Sequence, residues 1–256
     1  MSSYFTTNSL IADIKRRAMI PSAQNTFTNV DFLAFINSEL KIGILPSVIN
    51  VQEEFYVYPE EVIITSNKSS YSIPYRAVGG KLRDLFFKDS NGKLHEMSRI
   101  SPDDKSMFQQ NNYGSISTFY YVENNSIVLT PAIGSIPVGS LVFTFYMRPS
   151  DLVEESRVGI VNNIVNDLNL NTTTYTLSSI PLGMTINTQI DLLQAKPGHK
   201  IRKYDLLPSS INLTNKTITF STSNIDQDME IGDHVAFAGE CIIPQCPSDL
   251  QTVLSQ

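Results

Sequence analysis

The sequence predicts an α+β protein that is mostly β, with N-terminal helices followed by antiparallel β-sandwich or barrel modules. Two amphipathic segments, about residues 8–20 and 28–54, have the i, i+3, i+4 spacing of apolar side chains that is typical of helices. From Phe55 the apolar period changes to two, and short strand patterns fill most of the remaining chain. These two observations define the class.

The first helix is predicted around Leu10, Ile11 and Ile14, with Asn8 or Ser9 as its N-cap. The second begins where a threonine stands three residues before an aspartate, at 28 and 31, which resembles a capping box. An apolar stripe follows over residues 33–44. We expect Gly43 and Pro46 to break this helix, because proline lacks a backbone donor. A further helical turn is expected over residues 47–54.

The β region divides into two modules, 55–150 and 151–243, with the polar stretch 151–157 as their boundary. In the first, residues 82–87 are expected to pair with 93–97 across an Asn-Gly turn. Residues 118–122 are expected to pair with 127–129 in a second hairpin. Gly79-Gly80 predicts a tight chain reversal between strands.

The second module shows many short strand patterns, which are typical of a small barrel or sandwich. They are predicted at residues 160–164, 174–177, 188–193, 200–206, 210–213, 217–220 and 234–238. A short apolar-polar tail, 244–256, ends the chain, and the N-terminal helical segment, 1–54, precedes both modules.

Composition limits the classes of function. The 256 residues carry a formal net charge of −6, which argues against a protein that grips nucleic acid through its phosphates. No export signal is apparent, and no stretch reaches about 18 consecutive apolar residues, so no membrane span is expected. Cys241 and Cys246 are expected to be free thiols, although their spacing also permits a disulfide.

Residues for catalysis or metal binding are scarce. His95, His199 and His234 lie in separate segments without ligands at metal-binding spacing. No serine stands in the strand-turn-helix frame of a nucleophile, and acidic pairs such as Glu60-Glu61 are typical of solvated faces. We therefore predict a protein that is not an enzyme and that has no cofactor and no metal.

One aromatic run admits a functional interpretation. Alternation places Phe119 and Tyr121 on one face of a strand and Tyr120 on the other. Core packing and cross-strand pairing explain the run, and the alternative is a face that stacks on carbohydrate. The alternative function is accordingly a module that recognises surface carbohydrate.

Several stretches occur in a recognisable order: INSELKIGILP at 36–46, VQEEF at 51–55, IPYRAVGGKLRDL at 73–85, YMRP at 146–149 and GDHVA at 232–236. Together they resemble the head-to-tail adaptor (connector) proteins in the necks of tailed bacteriophages. The resemblance extends over most of the chain.

The resemblance implies a structural virion protein that forms a homo-oligomeric ring, commonly of twelve copies, between the portal protein and the tail or next neck ring. Such a ring extends the DNA channel, and genomic DNA passes through it without sequence-specific binding. The protein would occupy the virion neck, and the host cytoplasm during assembly. The alternative function is a tail or baseplate module that recognises surface carbohydrate through the strand that contains Phe119 and Tyr121.

Helices and a terminal segment contact partners in such adaptors. The candidate docking residues are Lys15, Arg16, Arg17, Leu250, Val253 and Leu254. If the basic triplet formed by Lys15, Arg16 and Arg17 does not bind a partner, it is a helix face exposed to solvent. The tail is too short to be a stable helix alone, so it docks either on a partner such as the portal or on its own module.

Overall fold

The computed structural model describes residues 5–21, 26–65, 68–110, 119–130, 139–195, 200–222, 225 and 228–255, and for residues 108–110 it describes the backbone alone. Strands account for 41% of it and helices for 23%, and N-terminal helix precedes antiparallel sheets. The predicted class, α+β and mostly β, is confirmed. His199 and residue 118, both included in the sequence-based predictions, lie outside the described residues.

The chain forms two compact units. One contains Met1–Val51 together with Pro149–Gln256, and the other contains Gln52–Arg148. The ends of the second unit fall close to the predicted limits of the first β module. The N-terminal helices, expected as a separate segment, belong to the same unit as the second β module and the tail.

Helices occupy the start of the chain. They are α1 (Thr7–Arg17), α2 (Asn29–Glu39), a π-helical turn (Leu40–Ile44) and α3 (Leu45–Val51), and a 3₁₀ turn (Glu53–Tyr56) and α4 (Lys105–Gln110) lie in the other unit.

The start of α1 differs from the prediction. Its N-cap is Thr6, which makes no side-chain cap hydrogen bond, so Asn8 or Ser9 as N-cap is wrong. The backbone N–H of Thr7 instead donates to the carbonyl of Ile242 at 2.8 Å. A distant strand end thus satisfies a donor that a local cap would otherwise bind.

The capping box of α2 is confirmed. The N–H of Thr28 donates to Oδ2 of Asp31 at 2.7 Å, and the N–H of Asp31 donates to Oγ1 of Thr28 at 3.4 Å.

The predicted break at Gly43 and Pro46 is wrong, because helical structure continues from Asn29 to Val51. A π-helical turn precedes the proline and widens the helix, which relieves the clash of a proline ring with the preceding turn.

The unit Gln52–Arg148 holds two four-stranded sheets, ordered β1-β8-β3-β4 and β2-β7-β6-β5. Its strands are β1 (Val57–Ile63), β2 (Ser70–Ser72), β3 (Ala77–Asp89), β4 (Leu94–Glu96), β5 (Ser98–Arg99), β6 (Phe119–Glu123), β7 (Ser126–Thr130) and β8 (Gly139–Met147). Both predicted hairpins are present, as β3–β4 and β6–β7.

Gly79 and Gly80 do not reverse the chain, so that prediction is wrong. Both lie inside β3 with φ of 62°, and the register with β8 shifts between Ala77 and Leu82. The pair forms a bulge that only residues tolerant of left-handed backbone can adopt without strain. A Cβ on Gly80 would also lie 2.7 Å from Oδ1 of Asn125.

The other unit is built on a seven-stranded antiparallel sheet, ordered β13-β12-β16-β10-β11-β15-β14. Its strands, with those of a two-stranded parallel sheet β17-β9, are β9 (Asp151–Leu152), β10 (Val158–Asp167), β11 (Thr172–Leu177), β12 (Ile190–Leu193), β13 (Ile201–Leu206), β14 (Ser210–Asn212), β15 (Thr217–Ser221), β16 (His234–Phe237) and β17 (Glu240–Cys241).

One hydrophobic cluster forms the core of this sheet. Val161, Tyr175 and Phe220 are at most 1% exposed within it. The predicted strands of the second module are all present, with ends shifted by a few residues. Cluster residues alternate along β11, β12 and β15 and so lie on one face of the sheet, while all four residues of β12 are buried.

A side-chain amide joins the N-terminal helices to this β unit. Nδ2 of Asn37 in α2 donates to the carbonyl of Leu152 at 3.0 Å, and the N–H of Leu152 donates to Oδ1 of Asn37 at 2.7 Å. Nearby, Lys41 forms an ion pair with Asp151 at 2.5 Å. Asn37 thus acts as an extra strand partner for β9.

Candidate docking groove

The basic triplet lies at the C-terminal end of α1. Arg16 and Arg17 both form ion pairs with Asp13, the latter at 2.7 Å. Nζ of Lys15 lies 2.9 Å from Oδ1 of Asn29. Cations at this end of a helix also interact favourably with the helix dipole. The triplet therefore has structural contacts within its own unit, although the side chain of Arg16 is still 79% exposed.

The C-terminal segment packs against α1. A 3₁₀ turn (Val253–Ser255) lies beside that helix. Leu254 and Ser255 are buried, whereas Leu250 is half-buried and Val253 is exposed. Of the three apolar tail candidates, Val253 and part of Leu250 are therefore accessible to a partner in this structure. The 3₁₀ turn at the end of the segment therefore packs on the N-terminal helix of the same unit.

A hydrogen bond links the same two elements. The side chain of Ser255 lowers the pKa of Asp13 by hydrogen bonding to its carboxylate, and the guanidinium groups of Arg16 and Arg17 lower it further, while burial opposes them. Asp13 therefore favours its charged form and binds groups from both ends of the chain.

An apolar groove of about 500 Å³ opens between α1, α2 and the C-terminal turn. It is lined by Ile14, Phe32, Phe35, Ile36, Glu39, Val253, Leu254 and Ser255. Phe27 extends the aromatic wall, with ring centroids 6.2 Å from Phe32 and 6.3 Å from Phe35. Nζ of Lys15 lies 5.2 Å from the centroid of Phe32. The groove is thus an aromatic surface with one cation, Lys15, at its edge.

Several apolar side chains of the helical segment Asn29–Val51, which supplies one wall of the groove, remain exposed. Phe35 is 61% exposed and Ile42 is 75% exposed, and Val30 and Val51 are exposed on the same helical segment. Exposed apolar side chains beside an apolar groove are typical of interaction sites. Phe35 lies within the apolar stripe predicted over residues 33–44, but the groove could not be predicted, because its C-terminal wall comes from residues more than two hundred positions away.

The helical segment Asn29–Val51 is long and apolar enough to cross a membrane by length and composition alone. Of its most apolar window, 39% is buried inside the protein. Core helices of soluble proteins meet the same criterion, so the finding is weak evidence of a span. The absence of a membrane span stays a prediction.

Within the described ranges, no group of three or more His, Cys, Asp or Glu side chains could hold a metal ion. His95 lies 3.1 Å from a carboxylate oxygen of Asp89 at the β3–β4 turn. His234 is buried in β16, and burial lowers its pKa. Neither the contact of His95 nor the burial of His234 points to a chemical reaction.

The two cysteines are free and buried. Burial raises the pKa of the Cys241 thiol well above its ordinary value, and it raises that of Cys246 to about 12. Buried thiols of this kind are unreactive, because the thiolate is the nucleophile.

The aromatic strand is largely buried. Tyr120 and Tyr121 are each 7% exposed in β6, and alternation does not put Tyr120 on an open face. The ring of Tyr121 is therefore inaccessible to a sugar in this structure.

No protein-family model matches the sequence, and no curated protein matches it significantly.

Proposed function

We propose that this chain is a structural protein of a tailed bacteriophage, which assembles as a head-to-tail adaptor ring between the portal and the tail. The observation that carries the proposal is the apolar groove with its exposed aromatic and aliphatic rim on the Asn29–Val51 segment. A monomer rarely leaves such a surface uncovered. Residues 36–46, which resemble the adaptor family, lie within this segment.

Charge supports the same function. The net charge of −6 suits a channel wall along which DNA slides, because strong pairing of phosphates with cations would hold the DNA. The long β strands supply a rigid frame, and the helices supply the contact surface. Ring formation requires heterologous interfaces, in which one patch meets a different patch on the neighbour.

Negative-stain electron microscopy and mass photometry of the purified chain, alone and mixed with a portal protein, test the proposal. We expect closed rings, either directly or on the portal. Ile42→Ser removes an exposed apolar side chain next to the groove and should reduce portal binding or ring formation. The matched control is Leu94→Ser, which changes an exposed leucine in the other unit. Monomers alone, without portal binding, would overturn the proposal.

A further inference from the structure

The turn between β3 and β4 contains the only asparagine of the chain that a glycine follows, Asn91 before Gly92. Both residues are exposed. Gly92 has a φ of 80°, and a Cβ built on it would meet no atom within 4 Å. The Asn91–Gly92 peptide is therefore open to water, and no side chain on residue 92 shields it.

An asparagine in this position can react with its own backbone. The nitrogen of Gly92 gives up its proton to water or hydroxide and attacks Cγ of Asn91. A bond forms between that nitrogen and Cγ, the bond from Cγ to the side-chain nitrogen breaks, and the side-chain nitrogen takes up a proton and leaves as ammonia. Water then opens the cyclic imide at either carbonyl, which gives aspartate or isoaspartate. One water is consumed and one ammonia is released, with no oxidation or reduction.

Hydrogen bonds within the turn oppose the first step. The N–H of Gly92 donates to the carbonyl of Asp89 at 2.9 Å. Oδ1 of Asp89 accepts the N–H of Asn91 at 2.9 Å and that of Lys93 at 3.0 Å, which is how aspartate side chains stabilise turns. The nitrogen that must lose its proton is thus held in a hydrogen bond, so the turn must open locally before Gly92 can attack.

The carboxylate of Asp89 is also held from β4. Its Oδ2 lies 3.1 Å from Nε2 of His95. The hydrogen bond to His95, followed by that to the N–H of Lys93, lowers the pKa of Asp89, so this side chain is charged at neutral pH. A negative charge next to the turn disfavours the amide anion of Gly92. Asp89 therefore opposes the reaction both by ordering the turn and by its charge.

We propose that Asn91 is a site of spontaneous deamidation and isoaspartate formation, and that Asp89 sets its rate by keeping the turn closed. Isoaspartate adds a methylene to the backbone of the turn. The pairs next to the turn, Lys88 with Leu94 and Phe87 with His95, then lose their register, because the turn geometry fixes the pairing of a hairpin. The proposal concerns the unit Gln52–Arg148 and is independent of the adaptor function.

A second exposed turn provides an internal comparison. Asn125 in the β6–β7 turn is exposed as well, but Ser126 follows it. The carbonyl of Asn125 accepts the N–H of Ile73 at 3.1 Å. Because the side chain of Ser126 hinders attack by its own backbone nitrogen, Asn125 should react more slowly than Asn91.

Peptide mapping by mass spectrometry, after incubation of the full chain at pH 8 and 37 °C, tests the site. We expect the mass shift of an amide-to-acid conversion at Asn91 before it appears at Asn125, and labelling of the same peptide by an isoaspartate methyltransferase. Asn91→Gln should remove the signal, because the longer side chain must close a less favourable six-membered ring. Absence of conversion at Asn91, or earlier conversion at Asn125, would overturn the assignment.

Asp89→Ala tests the control of the rate. It should accelerate the conversion of Asn91 by about tenfold, the factor expected when the turn loses the two hydrogen bonds to Oδ1. The matched control is Asp103→Ala, at an exposed aspartate of the same unit, which should keep the wild-type rate.

The wild-type chain unfolded in guanidinium chloride gives a measurement that does not depend on the folding of a variant, and it should react faster than the native chain. A rate in folded Asp89→Ala equal to that of the wild type overturns the role of Asp89. A rate in the unfolded wild type no higher than in the native chain overturns the role of the closed turn.

Discussion

The backbone N–H of Phe5 donates a 3.2 Å hydrogen bond to Oε1 of Gln251, 246 positions further along the chain. Nε2 of the same glutamine donates to the carbonyl of Pro244 at 3.3 Å, and the residue is 1% exposed. One side chain therefore connects the N-terminus to the start of the C-terminal segment. The two ends of the chain stabilise each other, and the groove lies where they meet.

Truncating the buried leucine of the tail should destabilise the unit that contains Met1–Val51 and Pro149–Gln256. Leu254 is 6% exposed, so Leu254→Ala should lower the free energy of unfolding by about 2–4 kcal/mol through lost burial and a cavity. Val253→Ala, at an exposed neighbouring position, should change it by less than about 1 kcal/mol. Urea denaturation followed by circular dichroism measures both. Equal effects of the two substitutions would contradict the packing of the tail on α1.

Asp13 should make the stability of this unit sensitive to acid. Its pKa in the folded chain lies below the ordinary value, because Ser255, Arg16 and Arg17 favour the carboxylate. The stabilisation of the folded unit by the charged Asp13 carboxylate is fully present above the ordinary aspartate pKa of about 4. It is lost as the pH falls through the lower pKa of the folded state. Asp13→Asn should flatten the stability profile between pH 6 and 2, relative to wild type. Asp103→Asn, at an exposed position, is the control and should keep the wild-type slope.

The two cysteines should resist modification in the native protein. Burial raises the pKa of both thiols, so the reactive thiolate is scarce near neutral pH. A thiol reagent such as DTNB at pH 8 should label neither Cys241 nor Cys246 in minutes, and it should label both after denaturation. The variant Leu168→Cys, with an exposed thiol, gives the positive control. Rapid labelling of the native wild type would show that this region opens.

Tyr121 should contribute to stability rather than to carbohydrate binding. It is 7% exposed, and truncation of a buried aromatic side chain costs about 3–5 kcal/mol. Tyr121→Ala should therefore lower the midpoint of thermal unfolding strongly, whereas Tyr75→Ala, at a residue that is 63% exposed, should lower it less. Glycan-array binding by the folded wild type, lost on Tyr121→Phe, would instead support the carbohydrate interpretation.

Local patterns determined much of the fold. The strand over residues 82–87, the Asn-Gly turn at 91–92 and the capping box of Thr28 and Asp31 each depend on neighbours within a few positions, so the sequence alone predicted them. The pairing of Arg16 and Arg17 with Asp13 follows the i, i+3 and i, i+4 spacing of a helix and could have been found in the same way.

The tertiary structure alone decided how these elements combine. The contact of Thr7 with Ile242, the bond of Asn37 to Leu152 and the packing of Leu254 on α1 join residues more than one hundred positions apart. No periodicity or spacing encodes such pairs, because the free energy that selects them comes from burial shared among distant segments. The sequence therefore determined the helices, the strands and their order, and tertiary packing determined that the chain ends meet and form an apolar groove beside a basic triplet.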